Sequence, residues 1–280
     1  MSVLAVAAGL LIGVSLGALG GGGSILTVPA LVYLLGESPH QATAASLIVV
    51  GIAAVFGAVT HYRAGRVELV SGLLFGVLGI AGSYAGSRAS AAVPADVLLT
   101  GFGVLMVVVA VLMTVRKLPS GRIRKPGQVR EPGQLRQPGQ LREPGQVRAS
   151  LRGSWRSVLL LVTAATAVGL ITGFFGVGGG FVVVPALVLV LGFDMPTAAG
   201  TSLVVIAVNS VAALAARSGH GQLSLDWPLI GLFAGATVIG ALSGSHLAGR
   251  IRPQRLAAAF TVLVVLVAVY TLVRSVPQIA

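Results

Sequence analysis

The chain has 280 residues, of which 55% are hydrophobic and only 9% are charged, and its mean hydropathy is +0.96. A soluble globular domain usually has about 25% charged residues, so most of this chain's surface cannot face water. The absence of cysteine from the sequence excludes disulfides, thiolate metal sites and cysteine redox chemistry. Apolar runs of roughly 17 to 25 residues can cross a bilayer as helices. Because the sequence consists largely of such runs, we predict an all-α, polytopic membrane protein.

Most of the net charge of +12 comes from one segment. Residues 116–156 contain eleven basic and two acidic residues, which leaves a charge of only +3 for the rest of the chain. Basic loops of membrane proteins stay in the cytoplasm, so this charge indicates topology, and we expect no nucleic-acid partner. Within the segment the motif Pro-Gly-Gln recurs with a period of six from Pro126. Such a composition cannot pack, so we predict a disordered cytoplasmic linker over residues 117–156. A tether is its favoured role, and a regulatory or lipid-binding role stays open.

The first half of the chain, residues 1–116, begins with an apolar segment that lacks a basic region before it. We interpret this segment as a retained span and not as a cleaved signal peptide. Residues 3–36 as one straight helix would extend about 50 Å, whereas the bilayer core is about 30 Å thick. The string Gly20–Gly23 lies in the middle, where helix is least favoured, so we predict that the chain reverses there. The apolar segments of this half are 3–20, 25–36, 41–60, 69–87 and 97–115.

The second half, residues 157–280, repeats this pattern. A shift of 156 residues superposes Gly17 on Gly173 and Gly20 on Gly176, and it carries the motif Pro-Ala-Leu-Val at Pro29 onto the same motif at Pro185. A register kept over more than 30 residues and through a proline predicts an internal duplication. The apolar segments of this half are 158–175, 181–192, 197–216, 228–245 and 256–273.

The reversals also predict how the halves are oriented. If the chain reverses at each glycine string, each half crosses the membrane an odd number of times, and the second half is inverted. Outside the linker, this arrangement places five arginines inside and three outside, whereas a parallel arrangement divides them four to four. We therefore predict two inverted repeats with about eight to ten transmembrane or re-entrant helices.

The glycine strings are the first candidates for a binding site. Each is followed by a helix that starts near Ser24 or Gly180, and a helix N-terminus offers free N–H groups and a partial positive charge to an anion. Glycine also lets the backbone approach a ligand without a side chain in between. The alternative is that glycines only permit close helix packing, which fits pairs such as Gly13 and Gly17. The predicted ligand-contacting residues here are Gly22, Gly23, Ser24, Gly178, Gly179 and Gly180.

Polar residues within the apolar segments are the next candidates. Thr43, Ser46, Thr201 and Ser202 lie in corresponding segments, and Asn209 is the only asparagine of the chain. The alternatives are bonds from the hydroxyls to their own helix backbone and an interhelical bond from the amide.

Residues near the segment ends could act as a gate or couple transport to protons, or they could be solvated interfacial groups. These residues are His61, Arg63 and His220. The apolar segments contain no ionisable residue, and the sequence contains no Walker motif, nucleophile elbow or metal-ligand cluster. We therefore expect neither an enzyme nor a bound cofactor or metal.

Two copies of one glycine-rich motif resemble a known family. The first copy, GVSLGALGGGG from Gly13, leads to a Val-Pro-Ala-Leu motif at Val28; the second, GLITGFFGVGGG from Gly169, leads to the same motif at Val184. Both copies, together with the segment HYRAGRV from His61, resemble the TauE/SafE sulfite-exporter family. The resemblance covers essentially the whole chain except the linker, whose length departs from the family's short connection. It implies a secondary transporter of sulfur-containing anions such as sulfite, sulfoacetate or other organosulfonates.

These features together predict a multi-pass protein of the cell (plasma or inner) membrane that exports a small anion by rocking one half against the other. The expected partners are the anionic substrate and the lipid bilayer, and a homodimer is one assembly that such a chain could form. Two alternatives stay open. The protein could carry an uncharged solute or a metal ion, or it could be a non-transporting membrane scaffold or assembly factor.

Overall fold

The computed structural model describes residues 2–115, 155–176, 180–189, 191–218, 226–248, 251 and 253–275. Within these ranges every regular element is helical, and most of the predicted linker lies outside them. A 3₁₀ turn at Gly20–Gly23 precedes α2, and a π-helical turn at Ala30–Leu34 follows it. The helices are α1 (Ser2–Leu19), α2 (Ser24–Pro29), α3 (Pro39–Arg63), α4 (Leu69–Ser90), α5 (Ala95–Val115), α6 (Trp155–Phe175), α7 (Gly180–Leu189), α8 (Met195–Ser218), α9 (Trp227–Ala248) and α10 (Pro253–Ser275).

The helices present apolar side chains outward, as lipid contact requires. Leu11 on α1 is 70% exposed and Val211 on α8 is 71% exposed, and burial of such groups in lipid instead of water stabilises the inserted protein. Among the described residues, five helical stretches are long and apolar enough to cross a membrane: Val3–Leu34, Pro39–Arg63, Leu69–Ser90, Met195–Arg217 and Trp227–Ala248. The predicted all-α membrane protein is confirmed.

The first of these stretches is not a straight helix. Gly20 has a φ of +67°, which interrupts α1, and the backbone of Gly23 then lies against Ile12 and Leu16. In a continuous helix, residues 12 and 23 would be about 16 Å apart. The chain therefore folds back along α1 at the glycine string, and the predicted reversal is confirmed.

Corresponding helices of the two halves make corresponding contacts. Under the shift of the sequence repeat, α1 to α5 correspond to α6 to α10. The contact of α1 with α9 matches that of α4 with α6, and the contact of α3 with α9 matches that of α4 with α8. Helix α3 also packs on its counterpart α8, and α5 packs on α10. The duplication and the inversion themselves stay predictions from the sequence.

Small residues bring two of these helix pairs into backbone contact. A Cβ atom added to Gly17 on α1 would overlap the Ala241 carbonyl of α9, and one added to Gly86 on α4 would overlap the Leu170 carbonyl of α6. The close-packing interpretation is therefore confirmed for both positions. The other glycines that pack in this way are Gly13, Gly82, Gly240 and Gly244.

Helices α3 and α8 lie side by side and run in opposite directions. Thr43 near the start of α3 contacts Arg217 near the end of α8, whereas His61 near the end of α3 contacts Gly200 near the start of α8. Because Thr43 and His61 are 18 residues apart on one helix, the two ends of this pair are about 27 Å apart. Two further contacts lie between these ends: Gly51 with Ser210, and Gly57 with Leu203.

Candidate functional site

The two glycine turns meet inside the bundle. A Cβ atom added to Gly21 would overlap the carbonyl group of Gly180, so the two backbones are in direct contact. The side chain of Ile206 on α8 also lies against Gly180. Any larger residue at Gly21 would separate the turns, so glycine is required here for the contact itself.

Each turn also contacts the long central helix of the other half. Gly176 has a φ of +63°, packs on Thr43 of α3, and its carbonyl oxygen accepts a hydrogen bond from the Ser46 hydroxyl. In the corresponding contact, Gly20 packs on the Ser202 hydroxyl of α8. Ser202 itself donates to the Ala199 carbonyl at 2.8 Å, a bond within its own helix.

The predicted glycine contacts are occupied by protein in this conformation. A Cβ atom on Gly22 would lie 3.0 Å from the Phe260 ring of α10, and Gly23 packs on the α1 backbone. Ser24 begins α2, and its hydroxyl donates to the Gly21 carbonyl at 2.6 Å. Gly178 and Gly179 lie outside the described residues. Ligand binding at the turns therefore stays a prediction, and it requires the turns to move apart.

The structure does not bring the two predicted serines together. Ser46 lies near the Arg217 end of the α3–α8 pair and Ser202 near the His61 end, which places them about 18 Å apart along the helix axes. Thr201 is buried beside Ser202, and its hydroxyl accepts a hydrogen bond from the backbone N–H of Glu68 at 3.0 Å. The predicted polar residues therefore form a row along the helices.

Asn209 lies midway along this row and is completely buried. Neither its Oδ1 nor its Nδ2 has a hydrogen-bond partner among the described residues, and the amide packs directly on Gly79 of α4. Leaving a buried amide unpaired costs about 1–3 kcal/mol. The alternative of an interhelical hydrogen bond from this amide is therefore not realised among the described residues, and a role in binding stays a prediction.

Arg217 is the strongest polar feature of the bundle, and the sequence analysis did not select it. The guanidinium donates from Nε to Ser87 at 2.8 Å, from Nη1 to Thr43 at 2.7 Å, and from Nη2 to Ser90 at 2.9 Å and to the Gly173 carbonyl at 3.3 Å. None of these partners is a carboxylate. These bonds use four of its five N–H groups, which leaves one on Nη1 for a further acceptor.

The three hydroxyls are arranged so that their oxygen lone pairs face the guanidinium. Each donates its own proton to a backbone carbonyl: Thr43 to His40 at 2.8 Å, Ser87 to Ala213 at 2.9 Å, and Ser90 to Ser87 at 3.1 Å. The positive charge is therefore held in place by neutral groups and is not neutralised by them. A signal for this residue existed in the sequence, because the repeat shift of 156 carries His61 onto Arg217.

His61 is buried at the opposite end of α3, with 1% of its surface exposed. Its Nε2 lies 2.7 Å from the carbonyl oxygen of Gly17, and its Nδ1 has no partner among the described residues. Arg63, two residues further along the helix, is exposed, and His220 lies outside the described residues. The gating or coupling roles of these residues stay predictions.

Comparison with known proteins identifies the family. The family model described as "Sulfite exporter TauE/SafE" matches residues 5–271. A "Probable membrane transporter protein" of Xylella fastidiosa strain Temecula1 is 31% identical over 276 residues, which cover 98% of this chain and 95% of the relative. The "Probable membrane transporter protein YdhB" of Bacillus subtilis is 25% identical, with 84% of this chain and 85% of the relative covered. No solved structure shows significant similarity to the chain. The chain, a multi-pass membrane protein of a transporter family, thus belongs to the TauE/SafE sulfite-exporter family.

Proposed function

We propose that this protein exports a small sulfur-containing oxyanion across the cell membrane as a secondary transporter without catalytic activity. The substrate would be sulfite, sulfoacetate or another organosulfonate. The observation that carries this proposal is the guanidinium of Arg217, which sits between α3, α4, α6 and α8 with neutral hydrogen-bond partners.

The chemistry of Arg217 favours an anion over other solutes. A guanidinium is always charged and binds oxyanions through hydrogen bonds from its planar donor groups. Arg217 also has no carboxylate among its hydrogen-bond partners, and an anion that binds beside it supplies the missing counter-charge. The remaining N–H of Nη1 supplies a donor for a sulfite or sulfonate oxygen. A cation would instead be repelled at this position.

The row of polar residues supplies a path from this anion site. Asn209 lies two helical turns before Arg217 on α8, and the Ser46 and Ser202 contacts with the two glycine turns lie to either side of it. We expect the anion to move along this row when the halves rock and the contact between Gly21 and Gly180 opens. At that stage the N–H groups at Gly22, Gly23, Ser24 and Gly178–Gly180 become available to it, together with the Thr201 hydroxyl.

The membrane potential can drive the export of an anion. An inside-negative potential supplies about 2.3 kcal/mol per charge per 100 mV, so a divalent anion leaving at about 150 mV gains roughly 7 kcal/mol.

The test measures flux in liposomes that contain the purified protein. Arg217→Gln removes the charge, and its hydroxyl partners keep their bonds to backbone carbonyls, so we expect a folded protein. Loss of a charged hydrogen-bonding group costs about 1.5–3 kcal/mol, so sulfoacetate affinity should fall about 10- to 150-fold. The matched control is Arg88→Gln, which removes an equal charge from an exposed arginine stacked on Tyr84. That control should keep parental affinity.

The same assay separates the alternatives. Equal sulfoacetate affinity in Arg217→Gln and Arg88→Gln would contradict a role of Arg217 in anion binding. If the protein transports an uncharged solute or a metal ion, and sulfite and sulfonates do not inhibit that transport, the protein is a carrier of that solute and not an anion exporter. Absence of flux for every anion, together with a stable complex with another membrane protein, would favour a scaffold.

A further inference from the structure

His61 and Arg217 occupy equivalent positions in the two halves. The repeat shift carries His61 onto Arg217 and Gly17 onto Gly173. Each side chain contacts the carbonyl oxygen of the corresponding glycine, at 2.7 Å for His61 Nε2 and at 3.3 Å for Arg217 Nη2. In both halves this glycine lies three residues before the turn glycine with positive φ, Gly20 or Gly176. One half therefore holds a permanent cation where the other holds an imidazole.

The two groups lie at opposite ends of the transport path. They mark the two ends of the antiparallel α3–α8 pair, about 27 Å apart and thus close to the thickness of the bilayer core. By the inverted topology predicted from the sequence, Arg217 lies at the outer end and His61 at the cytoplasmic end. An anion that crosses between these ends passes one group and then the other.

The contacts of His61 indicate which ring nitrogen carries a hydrogen in this conformation. The Gly17 carbonyl can only accept a hydrogen bond, so Nε2 carries a hydrogen. In the neutral ring the lone pair then resides on Nδ1, which is buried and has no partner among the described residues. Histidine is the side chain whose charge changes most readily between pH 5 and 8. Nδ1 is therefore a site that can accept a proton.

Few charged groups surround this imidazole. Helix α1 and the first turns of α8 contribute none, and the α9 residues packed beside Gly17 are the uncharged Ala241 and Ser245. Arg66, in the connection to α4, is the residue whose charge acts on the ring. The other charged or titratable groups near this end are exposed or lie at helix ends: Tyr62 and Arg63 on α3 itself, Glu68 at the start of α4, Asp194 just before α8 and His246 on α9. Among the described residues no carboxylate pairs with the ring, so an approaching anion can serve as its counter-charge.

We propose that His61 binds a proton at Nδ1 when the anion binds, so that a proton and the anion cross the membrane together. This inference rests on the proposed function. The proton comes from water on the side to which the ring is open and bonds to the Nδ1 lone pair, while Nε2 keeps its hydrogen. The imidazolium and the anion stabilise each other, and by linkage each raises the affinity for the other. After the halves have rocked, the anion leaves on the opposite side of the membrane and Nδ1 releases the same proton to water on that side, which restores the starting tautomer.

The test follows protons and the anion in the same liposomes. Vesicles that contain the protein and a trapped pH dye receive an inward gradient of labelled sulfoacetate, and potassium with valinomycin holds the membrane potential at zero. Sulfoacetate is preferred to sulfite because sulfite equilibrates with sulfur dioxide, which crosses bilayers and carries protons without a protein. In the parent protein the lumen should acidify, with a proton for each anion. His61→Gln should bind sulfoacetate more weakly, and His61→Arg keeps a positive charge for the anion. The sulfoacetate that still enters through either variant should cause no acidification, whereas His246→Gln should behave like the parent.

The possible outcomes separate this inference from the proposed function. Sulfoacetate flux without acidification in the parent, or unchanged acidification in His61→Gln, overturns the proton coupling and leaves anion transport standing. No flux of sulfoacetate or sulfite in the parent overturns both. A measurement on the parent alone covers the case in which the variants fail to fold. When sulfoacetate is added to purified protein in weakly buffered detergent, the protein should take up a proton for each anion it binds. Anion binding without proton uptake overturns the coupling.

Discussion

Replacing Gly21 by alanine tests whether the contact between the two turns is a closed state of the transporter. The added methyl group would overlap the backbone of Gly180 at the start of α7, and that backbone cannot move without shifting the helix. Gly21 has a negative φ, so the change adds bulk and no backbone strain. Overpacking of this kind costs about 1–3 kcal/mol. This energy acts on the conformation in which the turns touch, so it should increase the population of open conformations about 5- to 150-fold.

The absence of cysteine from the chain makes this population measurable. Ser202 is completely buried beside Gly20, so Ser202→Cys introduces a single thiol that a maleimide reaches only when the turns separate. Its modification rate in membranes should rise by the same factor when Gly21→Ala is added. The control is Gly235→Ala on α9, where an added Cβ atom would meet no atom within 4 Å. Equal modification rates with Gly21→Ala and with Gly235→Ala would refute the assignment of this contact as a closed state.

Two further predictions concern packing and the buried amide. Gly86→Ala should lower the stability of the protein in detergent by about 1–3 kcal/mol, because the added methyl group would overlap the Leu170 carbonyl. An unchanged thermal unfolding temperature would contradict the backbone contact between α4 and α6. The control is Gly231→Ala, because an added Cβ atom at Gly231 faces open space. Asn209→Leu should preserve or raise the unfolding temperature, because it removes an unpaired buried amide that costs about 1–3 kcal/mol. The same change should lower sulfoacetate flux. A lower unfolding temperature with unchanged flux would instead indicate that the amide stabilises the fold and does not bind the anion.

The helices and the first reversal could be predicted from the sequence because local properties determine them. Charged residues cluster between the apolar segments, so each described helix overlaps a predicted segment. The reversal at Gly20 follows from length, because a helix of 32 residues would extend about 48 Å. The partners of the turn glycines could not be predicted in this way. Gly22 faces Phe260 and Gly21 meets Gly180, and both partners come from the other half of the chain.

The site at Arg217 was missed because an arginine at the end of an apolar segment has the pattern of an interfacial residue. The site depends on hydroxyl groups that are distant from Arg217 in sequence: Thr43 lies 174 residues away and Ser90 lies 127 residues away. Only the folded chain brings them around the guanidinium. The repeat shift could have found the position, because it pairs Arg217 with His61, which the sequence analysis had selected as a gating or coupling residue.

The two ends of the bundle are chemically unequal, and this constrains how the proposed export can work. The repeat shift places Ala199 at the position of Thr43, and the slightly larger shift of the later helices places Ala248 at the position of Ser90, so the hydroxyls that hold Arg217 have no full counterpart around His61. Unequal ends can give the anion different affinities at the two faces. They cannot by themselves make transport run one way. Binding to the carrier does not change the free-energy difference of the anion between the two sides of the membrane. The direction of export must therefore come from the membrane potential and the solute gradients, and the difference between Arg217 and His61 can set only how tightly each face holds the anion and whether a proton accompanies it.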